Sequence, residues 1–251
     1  MPYRDLPRHT PDELLERWAR LHGGQGSFPP PEPGLVAGWL CYHHGDFEQA
    51  AAHGLRHGGV GQPLLDQATC VYADYLEPRE ALRLQLFRQV AERSALRMAA
   101  DPQDCHALYW QAYALARYSQ GISVARALAQ GLAGRIKLAL ERVIELQPGH
   151  ADAHIALGAF HAEVIDKVGA LVARMTYGAN ADTALALFER GLALRPDSPG
   201  ALTDFGRGLL MLRGSEGMAE ATRLYERAAA LRPADARERL DVELARAGLE
   251  D

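Results

Sequence analysis

Apolar residues recur at helical spacing in the C-terminal half of the chain, within a ten-residue segment that appears in three similar copies. It reads ALERVIELQP at residues 139–148, LFERGLALRP at 187–196 and LYERAAALRP at 224–233. In each copy the apolar residues share one helix face, a Glu-Arg pair lies on the other, and the proline stops the helix from continuing. These copies predict repeated helices that end near Pro148, Pro196 and Pro233.

A second kind of helix is predicted after each proline. It reads AHIALG at residues 153–158 and ALTDFG at 201–206, with glycine at the same offset. Small residues of this kind let two helix axes approach closely, and an aromatic ring then fills the wedge between helix pairs. The pattern resembles the tetratricopeptide repeat. The matching positions are Gly158, Ala184, Phe188, Gly191 and Pro196 in one unit and Gly206, Ala221, Tyr225, Ala228 and Pro233 in the next.

The resemblance implies an all-α, right-handed solenoid of about five helix pairs. It is close from about residue 108 to 233 and weaker before that, where Pro102 closes one unit and Gly38 begins another. We expect a single domain: an N-terminal helix and proline-rich connector over residues 1–34, repeats over 35–233 and a capping helix over 234–251. Thr10-Pro-Asp-Glu13 is a capping box typical of a helix start.

Two central repeats are longer than the family's unit of about 34 residues. Pro102, Pro148, Pro196 and Pro233 lie 46, 48 and 37 residues apart, and the excess falls between the first and second helices. It predicts either a longer first helix or a small additional helix. Both insertions contain Val-Ala-Arg, at residues 124–126 and 172–174, so we expect them to lie side by side.

Two interpretations of the insertions remain open. Leu128, Leu132, Leu171, Val172 and Met175 are typical of an additional packed layer. Alternatively, the insertions enclose a pocket or present a partner surface. The residues proposed for that pocket are Val124, Arg126, Leu171, Arg174 and Met175.

The enlarged repeats, with TYGAN at residues 176–180 before the helix that carries Ala184 and Phe188, are also similar to the T component of tripartite periplasmic transporters. That resemblance implies a scaffold that binds a receptor protein or an apolar ligand. Members of that family carry a signal peptide and a lipidated N-terminal cysteine. Neither feature is seen in this sequence, which we expect to be cytoplasmic.

Composition narrows the range of functions. The net charge is −5, with 27 basic and 32 acidic residues and no long run of one sign, so we expect neither nucleic acid nor a membrane as partner. Three widely spaced cysteines indicate neither a disulfide framework nor a zinc site. The glycines at 54, 58, 59 and 61 lack the Lys-Ser/Thr of a phosphate loop and are interpreted as a flexible turn.

Histidines form the densest group of possible metal ligands. His154 and His161 share a helix face near His150, but in the repeat alignment they occupy core positions, so a structural role is preferred. Cys41, His43, His44 and Asp46 form a second, weaker cluster across a helix and its turn. We expect no metal, no cofactor and no enzymatic activity.

In tetratricopeptide repeats the exposed positions of the first helices line the groove and contact the partner. The resemblance therefore implies a protein or peptide as partner, and a small apolar molecule remains the alternative. Arginine and tyrosine at such positions are typical of binding hot spots. The alternative is that the insertions cross the groove and these residues are buried structural contacts. The candidate binding residues are Tyr109, Tyr113, Arg117, Ile155, Glu163, Thr203, Arg207 and Leu210.

Overall fold

The structure, a computed structural model, describes residue 6 and residues 8–250. Every regular element among these residues is a helix, and short 3₁₀ turns occur at Gly23–Gln25, Pro33–Leu35, Gly58–Gly61 and Gly214–Gly217. Residues 1–5 and 7, on which the expectation of no signal peptide depends, lie outside the described residues. The α-helices are α1 (Pro11–Glu16), α2 (Trp18–Leu21), α3 (Val36–His43), α4 (Phe47–Arg56), α5 (Gln62–Tyr75), α6 (Glu80–Ala100), α7 (Cys105–Gln120), α8 (Val124–Ala129), α9 (Leu132–Leu146), α10 (Ala151–Val168), α11 (Ala170–Tyr177), α12 (Ala181–Leu194), α13 (Pro199–Arg213), α14 (Met218–Ala230) and α15 (Ala236–Glu250).

The described residues fall into two compact units. Unit 1 takes those up to residue 22 together with 28–146 and 234–237, and unit 2 takes 23–27, 147–233 and those from 238 onward. In unit 1 the helix pairs are α3 with α4, α5 with α6, and α7 with α9. In unit 2 they are α10 with α12 and α13 with α14. The expectation of a single domain stays a prediction.

Small residues and aromatic rings meet in unit 2 as the repeat pattern predicts. A Cβ added at Gly158 would lie 3.1 Å from the Ala184 carbonyl oxygen and 3.2 Å from the Phe188 ring, so α10 and α12 cross at van der Waals distance. Phe188 is fully buried and stacks on Phe205, with ring centroids 4.9 Å apart. The aromatic residue therefore fills the wedge between successive helix pairs.

The insertions add helices rather than lengthening the first helix alone. In unit 1, α8 lies between α7 and α9, with the Ser123 hydroxyl accepting a hydrogen bond from the Arg126 amide. In unit 2, α11 lies between α10 and α12, and its C-cap residue Gly178 has a left-handed φ of 64°. The alternative of a small additional helix is thus the one the structure adopts in both repeats.

The glycines before α5 have a packing role that the interpretation of a flexible turn did not include. Gly54 lies inside α4, and a Cβ added at Gly61 would lie 2.1 Å from the Gly54 carbonyl oxygen. Only glycine permits this approach, which brings α4 against the start of α5. Gly58 and Gly59, in contrast, face open space.

The N-terminal capping box is confirmed. The Thr10 hydroxyl accepts from the Glu13 amide and the Glu13 carboxylate accepts from the Thr10 amide, which fixes the first turn of α1. Behind it, the Trp18 ring packs edge-on against Trp39 at 5.2 Å, and both rings are buried in unit 1. The segment before the first repeat is therefore part of the core of that unit.

Candidate partner-binding site

Three of the candidate binding residues are buried. Tyr109 and Ile155 are each 4% exposed and Thr203 is 1% exposed, and the Thr203 hydroxyl donates to the Pro199 carbonyl oxygen within α13. These three residues are therefore structural contacts, the alternative that the sequence left open, because the helix faces that carry them pack against neighbouring helices. Ile155, for instance, belongs to the core cluster around Phe188.

Tyr113 and Arg117 form a cluster with Asp74 in unit 1. The Tyr113 hydroxyl donates to Asp74 Oδ2, and Arg117 Nε lies 2.9 Å from the same oxygen. The Arg117 guanidinium also lies over the Tyr113 ring, 5.2 Å from its centroid. Burial, followed by the charge of Asp74, raises the pKa of Tyr113 well above its usual value, so the phenol remains a hydrogen-bond donor.

This cluster lies on first helices. Asp74 comes from α5, whereas Tyr113 and Arg117 are one turn apart on α7. Asp74 holds the Arg117 side chain through this ion pair. The side chain is still 19% exposed, so part of the arginine remains in contact with solvent. The repeat pattern predicts both α7 residues but not Asp74, which matches neither that pattern nor any motif.

The first helices of unit 2 carry half-exposed ion pairs. Glu163 pairs with Lys167 one turn along α10 at 3.9 Å, and Arg207 pairs with Asp204 on α13 at the same distance. The Arg207 side chain is 34% exposed, and Leu210 is half-buried one turn further on. At such distances and exposures these pairs contribute little to folding, so the charges remain able to exchange partners.

The insertion residues are largely exposed. In unit 1, Val124 and Leu128 are 48% and 52% exposed and Arg126 is exposed. In unit 2, Leu171 and Met175 reach 72% and 78%. The interpretation as an additional packed layer is wrong for Leu128, Leu171, Val172 and Met175, which are exposed. Leu132 is buried, but it begins α9 and is not part of an insertion helix. Arg174 is also exposed on α11.

The histidines of unit 2 have structural partners. His154 donates to the Pro148 carbonyl oxygen at 3.1 Å, and His161 Nδ1 accepts from the Asn180 amide at 3.2 Å. His150 is the N-cap of α10, its Nδ1 accepting from the Ala153 amide at 3.1 Å. Among residues 6 and 8–250, no three His, Cys, Asp or Glu side chains are grouped as a metal site requires.

The residues of the Cys41–Asp46 cluster also have separate structural partners. Asp46 caps α4 by accepting from the Gln49 amide, whereas His43 Nδ1 lies 2.7 Å from Asp235 Oδ2. His43 Nε2 is 3.2 Å from His22 Nε2, so the imidazole bridges a carboxylate and a second histidine. Sequence patterns gave no signal for this contact, because Asp235 is 192 residues away.

The fold matches a solved structure. A thermophilic tetratricopeptide-repeat (TPR) protein from Thermus thermophilus is similar over 85% of this chain and 97% of that one, with a TM-score of 0.59 and 19% sequence identity. This chain has a TPR-like fold. No protein-family model matches the sequence of this TPR-like chain, and no curated protein does. At 19% identity the similarity shows the TPR-like architecture alone. The resemblance to transporter T components stays a prediction.

In the part of the TPR-like chain that the structure describes, none of the helices has both the length and the continuous apolar character that crossing a bilayer requires.

Proposed function

We propose that the chain is a non-enzymatic scaffold that binds a protein or peptide through partly exposed residues of its first helices. One observation carries this proposal: in both units a first helix presents a partly exposed arginine beside a carboxylate. Arg117 is held by Asp74 in unit 1, and Arg207 lies beside Asp204 in unit 2. Residues of the same type therefore recur where the TPR-like architecture exposes its first helices.

Arg117 is preorganised for binding. A free arginine loses rotamer entropy when it binds, of the order of 0.5–1.5 kcal/mol for one immobilised side chain. Arg117 has already lost much of that freedom, because Asp74 and the Tyr113 ring hold it. A planar guanidinium on a side chain that is 19% exposed is suited to a carboxylate or backbone carbonyl on a partner. The cluster thus meets the requirements of a binding hot spot.

The experiment begins by identifying the partner through pull-down and mass spectrometry and then measures its affinity for purified variants. Arg117→Gln and Arg207→Gln each remove one first-helix charge, and we expect each to weaken binding about 10-fold, or about 1.4 kcal/mol. Arg142→Gln is the matched control, since Arg142 is ion-paired at 3.1 Å on α9, the second helix of its pair. Wild-type affinity in both first-helix variants would show the proposal to be wrong.

The insertion helices support a contact surface more than an enclosed pocket. Leu171 and Met175 are mostly exposed on α11, whereas residues that enclose an apolar molecule lose most of their solvent contact. We therefore include α11 in the partner-binding surface of this proposal. Met175→Asp should weaken capture of the same partner, whereas Thr176→Asp, at an exposed polar position of the same helix, should not. Equal affinity of both variants would remove α11 from the surface.

A further inference from the structure

The first helices of unit 1 already hold a short segment of this chain. Residues 234–237 read Ala-Asp-Ala-Arg, and their neighbours in unit 1 come from the opposite end of the sequence. Asp235 is 4% exposed and Ala236 is fully buried, so the segment is embedded rather than lying on the surface. The Ala234 carbonyl oxygen lies 3.4 Å from His9 Nε2.

The Asp235 side chain occupies a site for a carboxylate. Its Oδ2 lies 2.7 Å from Nδ1 of His43 on α3, and Nε2 of the same ring lies 3.2 Å from His22 Nε2. Both imidazoles are buried, at 1% and 2% exposure. A buried imidazole with a partner on one nitrogen presents a fixed N–H on the other. Among side chains, a carboxylate is the strongest acceptor for that N–H.

The Arg237 side chain occupies a second site, lined by aromatic residues. Its guanidinium lies over the Trp110 ring, 5.8 Å from the centroid, and it hydrogen-bonds the hydroxyl of Tyr42. Its charge also acts on Tyr113, the residue of the Asp74 cluster. Aromatic faces and phenol oxygens are suited to a planar cation. The two sites together accept an acidic residue followed two positions later by an arginine.

We propose that this face of unit 1 is a peptide-binding site that the chain's own Asp235-Ala-Arg237 segment occupies. An external partner with an acidic residue two positions before an arginine binds there by displacing the segment. This inference rests on the function proposed above and specifies the chemistry of the partner. The tethered segment competes at an effective concentration of the order of millimolar, so the free chain binds such a partner weakly until the segment is released.

The test uses the full chain and a fluorescent peptide of residues 231–240, LRPADARERL. In the chain variant Asp235→Asn/Arg237→Gln the internal segment loses both charges. We expect this variant to bind the peptide at least 10-fold more tightly than the wild-type chain in fluorescence anisotropy, since the tethered competitor is weakened. A peptide with the same two substitutions should not bind either chain.

The control variant is Arg239→Gln/Glu243→Gln, which removes an ion pair of 2.7 Å on the exposed side of α15 and changes the charge equally. It should bind the peptide as the wild-type chain does. A second measurement needs no variant: excess peptide should increase deuterium uptake at residues 234–237 of the wild-type chain. Equal peptide affinity in all three chains, or unchanged uptake, would overturn the inference.

The two proposals fail separately. If the peptide does not bind the released chain while Arg117→Gln and Arg207→Gln still weaken the natural partner, the peptide site is wrong and the scaffold stands. If those two variants bind the partner normally, the scaffold proposal fails whatever the peptide does.

Discussion

His150 makes the stability of the folded chain depend on acidity in a way that can be measured. Its imidazole is 2% exposed, and its Nδ1 accepts the amide hydrogen bond that caps α10. A protonated Nδ1 cannot accept that bond. Burial lowers the pKa of His150 from 6.5 to about 4, and the charge of nearby Asp152 opposes the shift only in part.

The direction follows from proton linkage. Because the folded-state pKa is depressed, the unfolded chain binds the proton first as pH falls through 6.5, and the free energy of unfolding decreases. With a folded pKa of about 4, the loss from this residue is about 2 kcal/mol at pH 5 and approaches about 3 kcal/mol near pH 4. Above pH 7 the residue adds no pH dependence.

The assay compares wild-type protein with His150→Asn by urea denaturation at pH 7.5, 6 and 5, followed by far-UV circular dichroism. Asparagine keeps an oxygen acceptor at the N-cap but does not titrate. Other titrating groups cancel in the difference between the two proteins. We expect that difference to shift by about 2 kcal/mol in favour of the variant between pH 7.5 and pH 5. A difference that is constant across this range would refute the argument.

Two further stability predictions follow from local packing. Gly61→Ala should destabilise by about 1–3 kcal/mol because the added methyl group meets the Gly54 carbonyl oxygen, whereas Gly59→Ala, in open space, should stay within about 0.5 kcal/mol. Leu132→Ala should cost about 2–5 kcal/mol because its side chain is buried, and Met175→Ala, at 78% exposure, less than about 0.5. Urea denaturation measures all four, and equal losses within either pair would contradict the packing described above.

The sequence predicted the contacts that are repeated and missed those that occur once. The pairing of Gly158 with Phe188 could be predicted because the same small and aromatic residues return at fixed offsets. Helical periodicity could not separate core from surface on short helices, so a packed layer and a pocket both remained open for Met175, which is exposed. An eight-residue helix has too few turns for one buried face to stand out.

The contacts of the candidate site show the same division. The repeat pattern predicted Tyr113 and Arg117. Their shared partner Asp74 lies on α5, in a helix pair where the repeat pattern is weak. The contact between Asp235 and His43 spans 192 residues and follows no period. Such contacts arise from tertiary closure of the chain, which no local pattern encodes.

The way α11 is attached has a consequence for motion. Ala173 is its one buried residue, so this helix has a methyl group as its anchor while its larger side chains meet water. Local opening of this helix exposes little new apolar surface. The free energy of that opening is therefore far below the free energy of unfolding unit 2. We expect the amides of α11 to exchange with deuterium well before those of α10 and α12. Slower exchange at α11 in the presence of a partner would then report directly where that partner docks.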